Sequence, residues 1–508
     1  MEIKIILLIL FFAVMAGVGI YSRRHASSVD GFVLGGRSVG PWLTAFAYGT
    51  SYFSAVVFVG YAGQFGWKYG IASTWIGIGN AVIGSLLAWV VLGRRTKVMT
   101  QHLGSKTMPD FFGQRYGSRA LKIAASVIVF VFLIPYTASV YNGLSRLFEM
   151  AFHIPYSWCV VAMAAFTAVY VILGGYMATA INDFIQGIIM LAGIVAVIAA
   201  VLSGQGGFLN AISEMAQIPS DVAVTQGQPG VFTSFFGPDP LNLLGVVILT
   251  SLGTWGLPQM IGKFYAIRDE KSINTGTVIS TLFAVVVSGG CYFLGGFARL
   301  FDSPEIYDGA GAVVYDSIIP HMLSALPDIL IGIVIVLVLS ASMSTLSSLV
   351  LTSSSTMTLD LIKDNIVRGM SEKKQIITMQ VLIVFFLVVS VVIALDPPTF
   401  IAQLMGISWG ALAGAFLAPF LYGLYWKGVT RAGVWAGFFT GVGLTVANMF
   451  LGFIESPINA GAAAMAAGLV VVPVVSLLTP KPDREKVDGI FSCYEEKVTI
   501  SRKRSLQE

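Results

Sequence analysis

Gly49-Thr50-Ser51-Tyr52-Phe53-Ser54-Ala55 lies inside an apolar run, 41–62, that is otherwise long enough to cross a bilayer as one helix. Glycine weakens a helix interior, and serine and threonine compete for its backbone hydrogen bonds. Unwound backbone at membrane depth persists only where protein encloses it or where it lines a cavity. The stretch therefore predicts a broken helix beside an internal site. The run 241–262 carries a second such stretch, Gly253-Thr254-Trp255-Gly256-Leu257-Pro258. Counted in apolar runs, the two breaks are five apart. That spacing predicts a five-plus-five inverted repeat, runs 2–6 and 7–11, each half opening on a discontinuous helix of the kind that marks the central site of many transporters. Glycine also serves close helix packing in membranes, but matched placement favours a site.

The solvent is set by composition. Of 508 residues, 56% are hydrophobic and 11% charged, and mean hydropathy is +0.82. Soluble domains carry roughly 25% charged residues, and single cores stop growing near roughly 250–300 residues, so the surface faces lipid. Thirteen runs are long enough to span: 4–21, 41–62, 71–93, 121–147, 156–174, 182–203, 241–262, 273–298, 326–358, 375–395, 399–425, 431–453 and 460–479. The first ends in Ser22-Arg23-Arg24 with no small-residue cleavage site, and reads as a retained span. Cys159, Cys291 and Cys493 are far apart, and His25, His102, His153 and His321 are scattered, which excludes a disulfide framework and any familiar metal spacing.

Charge sets the direction. With the N-terminus outside, the segments 22–40, 94–122, 263–272, 359–374, 426–431 and 480–508 lie inside and hold 26 of the 30 Lys and Arg residues. The positive-inside rule then predicts a multi-pass inner (plasma) membrane protein with a cytoplasmic C-terminus. The outside segments 204–240 and 299–325 carry Glu214, Asp221, Asp239, Asp302, Glu305 and Asp308. The expected organisation is one transmembrane domain, 1–480, with a first helix and loop (1–40), a ten-helix core (41–425) and two further helices (426–480), followed by a polar cytoplasmic tail, 481–508.

The ninth run reads Leu339-Ser340-Ala341-Ser342-Met343-Ser344-Thr345-Leu346-Ser347-Ser348. On a helix Ser344, Ser347 and Ser348 share a face, with Ala341 and Thr345 on the neighbouring stripe. Hydroxyls can simply back-bond to their own helix or join helices; so dense a cluster facing a broken helix favours a site for a hard monovalent cation. Asp183, in Asn182-Asp183 at the inner end of the sixth run, is nearly alone among the apolar runs as an acid. An acid there is usually functional, or else an interfacial cap near the start of its helix.

Gly35-Gly36-Arg37-Ser38, the Ala341-to-Thr345 run and Gly423-Leu-Tyr-Trp-Lys-Gly-Val-Thr-Arg-Ala-Gly433 resemble, in that order and over roughly 1–480, the sodium:solute symporter family, whose members include proline and pantothenate permeases and sodium–glucose cotransporters. The resemblance implies an all-α, LeuT-like fold and a sodium ion held by the backbone carbonyls of Thr50, Phe53 and Ala341 and the hydroxyls of Ser344 and Thr345. It also implies, as in some members, a second sodium site at Asp183, Ser344, Ser347 and Ser348, hence up to two ions per solute, and it tips Asp183 towards function. The proline-permease pattern has an aspartate after the matching serine, where this chain has Tyr52. The sugar transporters' acidic residue is absent around Ser73-Thr74-Trp75, and the third core helix carries Tyr136, Thr137, Tyr141 and Asn142 without an arginine beside them, against sugars and sialic acid.

The expected activity is sodium-coupled import of a small organic solute by alternating access. An amino acid such as proline leads, with pantothenate or a monocarboxylate as alternatives. Lys68-Tyr69-Gly70, Asn182-Asp183 and Gly256-Leu257-Pro258 resemble the pantothenate branch as much as the proline branch. Ser51, Tyr52, Ser54, Gln64, Tyr136, Asn142, Trp255 and Gln259 are the candidate solute contacts, each with a packing reading beside it. A channel would need a continuous polar pore, and an enzyme or sensor would need catalytic residues or an added domain. The partners expected are solute, sodium and lipid, without nucleic acid, around a monomer.

Overall fold

The computed structural model describes residues 2–495 apart from 397, and all their side chains but those of His25 and Tyr52. The tail expected from 481 is therefore described in part only. The chain is helical: α1 (Glu2–Ser22), α2 (Pro41–Tyr52), α3 (Ala62–Tyr69), α4 (Arg119–Phe152), α5 (Tyr156–Gly204), α6 (Pro240–Leu252), α7 (Pro258–Ala266), α8 (Glu270–Ala284), α9 (Asp328–Thr356), α10 (Glu372–Leu395), α11 (Ile401–Tyr425), α12 (Arg431–Leu451) and α13 (Pro457–Leu478) are the elements that place the site. Among the described residues, eleven helical stretches are long and apolar enough to cross a membrane, so this is a multi-pass membrane protein.

Two of those stretches hold more than one of the expected runs. As a straight rod the 49 residues of α5 would reach about 74 Å, against about 30 Å of hydrocarbon. Gly175 (φ 54°, ψ −148°) divides it into 156–174 and 176–204. The position requires glycine, because φ is left-handed and a Cβ would stand 2.9 Å from the Phe32 carbonyl oxygen. The stretch Val56–His102 turns in the same way at Gly70 (φ 60°, ψ −141°).

Both predicted breaks are present, and their backbones match. α2 ends at Tyr52, and Phe53 is extended at φ −88°, ψ 116°. α6 passes through a short 3₁₀ turn, and Leu257 is extended at φ −88°, ψ 121° before Pro258 starts α7. Proline also opens both α2 and α6, where its missing N–H costs nothing.

α11 and α9 form the centre: 89% and 78% of their most apolar stretches are buried, against 22% for α1 and 28% for α10, which face lipid. Some crossings are backbone to backbone. A Cβ on Gly66 of α3 would lie 1.9 Å from the Gly295 carbonyl oxygen, so only two facing glycines allow this approach.

The sequence motifs tie one end of the bundle together. Gly35, Gly36 and Arg37 are all left-handed, and the turn aims the Arg37 guanidinium at the carbonyl oxygens of Ser105 (2.5 Å) and Tyr265 (3.3 Å). Arg115 donates to Gly423 O (2.9 Å) and Trp426 O (3.2 Å) at the end of α11, where cations suit the exposed carbonyls. Arg431 returns to Tyr116 O at 2.7 Å.

One assignment is corrected. Lys263 was counted in the inside segment 263–272, but it lies within α7 with a side chain only 3% exposed. Pro258 restarts the helix, so the run does not end at 262.

Candidate functional site

The four last carbonyls of a helix have no partner within it, and at a break in a membrane helix something else must meet them. At the end of α2 that something is α9. The Thr345 hydroxyl oxygen lies 3.3 Å from Thr50 O, 3.3 Å from Phe53 O and 3.2 Å from Ala341 O, and Ser344 donates to the Thr50 hydroxyl at 2.7 Å. A hydroxyl carries one hydrogen and can satisfy one of the three carbonyls. Three carbonyl oxygens thus gather around one hydroxyl, an arrangement suited to a cation that accepts oxygen ligands. All five residues expected at the first sodium site thus come together, and all are buried. The freed N–H groups are met as well: Ala55 N donates to Ser342 Oγ at 3.2 Å and Val56 N to Ser54 Oγ at 3.2 Å.

The residues expected at a second site are arranged differently. Asp183 is wholly buried and stands well inside the helical segment 176–204, so it is not a cap. Its Oδ2 is 3.7 Å from the Lys263 ammonium. Lys263 donates to Ser348 Oγ at 3.0 Å, and Ser348 Oγ is 3.0 Å from Ser51 Oγ. Ser347 turns back onto its own helix, donating to Ser344 O at 2.9 Å. Lys263 is the residue the sequence reading missed. The signal was Pro258, whose fixed φ favours a first helical turn and places Lys263 in the second.

The candidate solute contacts are divided. Gln64 lines one cavity, of about 560 Å³, together with Lys68, Tyr69, Asp221, Asp239, Tyr315 and Gln403. Gln259 lines a second, smaller cavity of about 40 Å³ with Tyr176, Thr179, Lys263, Ser348 and Thr352, and neither end of its buried amide has a hydrogen-bond partner. Ser51, Ser54, Tyr136, Asn142 and Trp255 line neither cavity. Ser54 caps the break, and Trp255 donates to Ile83 O at 2.9 Å, which is a packing role. Tyr136 meets Trp409 edge to face at 5.9 Å. Asn142 is buried with its Oδ1 unpartnered, next to Gly143, whose Cβ position is 3.0 Å from Ala55 O at the break. The side chain of Tyr52 lies outside the described residues.

Ion pairs lie towards both ends of the bundle. Arg299 clasps both carboxylate oxygens of Asp221, at 2.6 and 2.9 Å, and lies 4.3 Å from the ring centres of Trp67 and Phe232. At the opposite end Lys122 gathers Asp110 (2.7 Å), Asp360 (3.3 Å) and Asp364 (2.6 Å), and Thr107 donates to Asp360 as well.

The family model "Sodium:solute symporter family" matches residues 32–441. "Sodium/proline symporter 2" of Staphylococcus saprophyticus subsp. saprophyticus is 31% identical, over 86% of this chain and 84% of its own. "Sodium/proline symporter" of Staphylococcus aureus is 29% identical, over 94% and 93%. Among solved structures, a Na+-coupled sialic acid symporter in a substrate-bound outward-open state superposes with a TM-score of 0.76 at 15% identity, covering 95% of this chain and 99% of that one. A nucleobase-cation-symport-1 family transporter in a closed conformation gives 0.54 at 13% identity, covering 91% and 98%. The fold, with its two matched breaks, is the all-α LeuT-like five-plus-five inverted repeat.

Proposed function

The chain belongs to the sodium:solute symporter family, and from that premise we propose that it imports proline, or an amino acid much like it, together with sodium by alternating access. The observation that carries the sodium assignment is the single Thr345 hydroxyl set among the carbonyls of Thr50, Phe53 and Ala341, with Ser344 adding a second hydroxyl. Those five residues hold the ion. The solute assignment rests on the two relatives named sodium/proline symporter. Pantothenate and monocarboxylates are the alternatives, favoured by the Tyr52 that stands where the proline-permease pattern has an aspartate.

In this reading sodium enters from outside and bridges α2 to α9, which fixes the break and shapes the solute pocket next to it. A solute carboxylate is met by half-helix ends rather than by a fixed basic side chain. Gln64 from the larger cavity and Gln259 from the smaller one supply amide contacts as the pocket opens to each side, and Ser51, Tyr52, Tyr136 and Asn142 are the further proposed contacts. Each sodium moved inward through 100 mV contributes about 2.3 kcal/mol, to which its concentration gradient adds. No covalent chemistry is involved. The core is 41–425, the protein works as a monomer in the plasma membrane, and the positive-inside bias supports an outside N-terminus and a cytoplasmic tail.

The test is a sodium-driven uptake screen in proteoliposomes across proline, other amino acids, pantothenate, monocarboxylates and sugars. An inward sodium gradient should drive proline accumulation above its equilibrium level. Accumulation of pantothenate alone would reassign the solute, and indifference of every solute to the gradient would sink the symport reading.

A further inference from the structure

Lys263 brings a positive charge to a place where the resemblance expects an ion. Its side chain is 3% exposed, and that of Asp183 is fully buried. The ammonium is 3.7 Å from Asp183 Oδ2, donates to Ser348 Oγ at 3.0 Å, and sits 5.2 Å from the centre of the Tyr176 ring. A buried charge is tolerated when it is paired and hydrogen-bonded, and these contacts provide both for the ammonium, while the two carboxylate oxygens of Asp183 have the ion pair and no hydrogen bond. Ser348 then passes the contact to Ser51 at 3.0 Å, one residue from the Thr50 carbonyl that faces Thr345.

Asp183 carries one negative charge, which one cation neutralises. A sodium placed beside the ammonium would add a second positive charge where screening is weak. The ammonium is also joined to α7, the helix that follows the second break, while Asp183 is on α5 in the first half of the repeat and Ser348 on α9 in the second. A charge so tethered neither enters nor leaves with the solute.

We propose that the Lys263 ammonium is a built-in cation that takes the second-cation position at Asp183 and Ser348, so that the free sodium travelling with each solute is the one at Thr345. The inference rests on the sodium-symport reading, and the experiment separates the two. Sodium bound per protein is counted with radioactive sodium on the purified full-length chain, a measurement that needs no knowledge of the solute. The wild type should bind one sodium with a Hill coefficient near one. Lys263→Ser, with Asp183 intact, should bind two, and the double variant Lys263→Ser/Asp183→Asn should return to one. A wild-type count of two overturns the inference, as does a folded Lys263→Ser that still binds one. Should Lys263→Ser fail to fold, the charge-neutral pair Lys263→Met/Asp183→Asn decides: one sodium bound within roughly threefold of wild-type affinity supports the inference, and loss of sodium binding overturns it. A wild type that binds no sodium at all would sink the premise itself.

Discussion

The hydroxyl of Thr345 lies 3.3 Å from the carbonyl oxygen of Phe53, the extended residue at which α2 gives way to the next helical segment. A side chain deep in one half of the repeat thus meets the main chain at the broken point of the other, and the consequences of removing it are measurable. Thr345→Ala deletes the oxygen proposed as a sodium ligand and leaves the carbonyls facing a methyl group. The half-saturating sodium concentration for uptake should rise roughly tenfold or more, since about 1.4 kcal/mol corresponds to tenfold. Thr345→Ser keeps the oxygen and should stay within roughly threefold. Equal values for wild type and Thr345→Ala would remove the ion from this position.

Arg37 should be a structural clamp. Its two carbonyl partners, Ser105 and Tyr265, belong to the loop before α4 and to the end of α7. Hydrogen bonds from a charged donor contribute roughly 1.5–3 kcal/mol each. Arg37→Ala should lower the thermal unfolding temperature of the purified protein, and Arg37→Lys should restore little of it, because an ammonium lacks the planar fork. Full rescue by lysine would show that charge alone matters here.

Lys122 sits among three carboxylates, of which Asp360 is the most buried, at 2% side-chain exposure. Lys122→Met strands that charge, and breaking a buried pair on one side costs about 3–5 kcal/mol. The double variant Lys122→Met/Asp360→Asn should recover part of the loss, giving a non-additive cycle in thermal unfolding. Strict additivity would argue that the two side chains do not interact.

Gly66→Ala forces a Cβ to within 1.9 Å of the Gly295 carbonyl. Overpacking of this kind typically costs 1–3 kcal/mol, and both neighbours are backbone, so relief requires α3 to move. The yield of monodisperse protein should fall. Gly443→Ala on α12, which meets nothing within 4 Å, is the control and should behave as wild type. Similar yields for the two would mean that α3 is free to shift.

Much of this architecture can be read from the chain because it is written in local signals. Apolar runs give the spans, and Gly253-to-Pro258 announces a break whose backbone then matches that at Phe53. Helical spacing puts Ser344 on one face with Ala341 and Thr345 on the neighbouring stripe, and the family resemblance, not the spacing, joins them to Thr50 and Phe53, which the structure does place around Thr345. Lys263 was not readable, because what permits a charge inside is a carboxylate 80 positions away in the sequence, and no local pattern reports that. A lysine following an apolar run looks like an interfacial anchor until Asp183 is found beside it. The solute contacts were the least readable. They are scattered singly, and Gln64 and Gln259 are separated between two cavities, so no spacing rule groups them.

Phe53 and Leu257 share one backbone geometry to within 5° in ψ, in halves that run through the bilayer in opposite senses. Twin hinges of this kind make the molecule antagonistic by construction. A modification that stiffens one of them should bias the equilibrium towards one face of the membrane, and the same change at its twin towards the other. Inhibitors of opposite sidedness would then be obtainable from a single chemical idea.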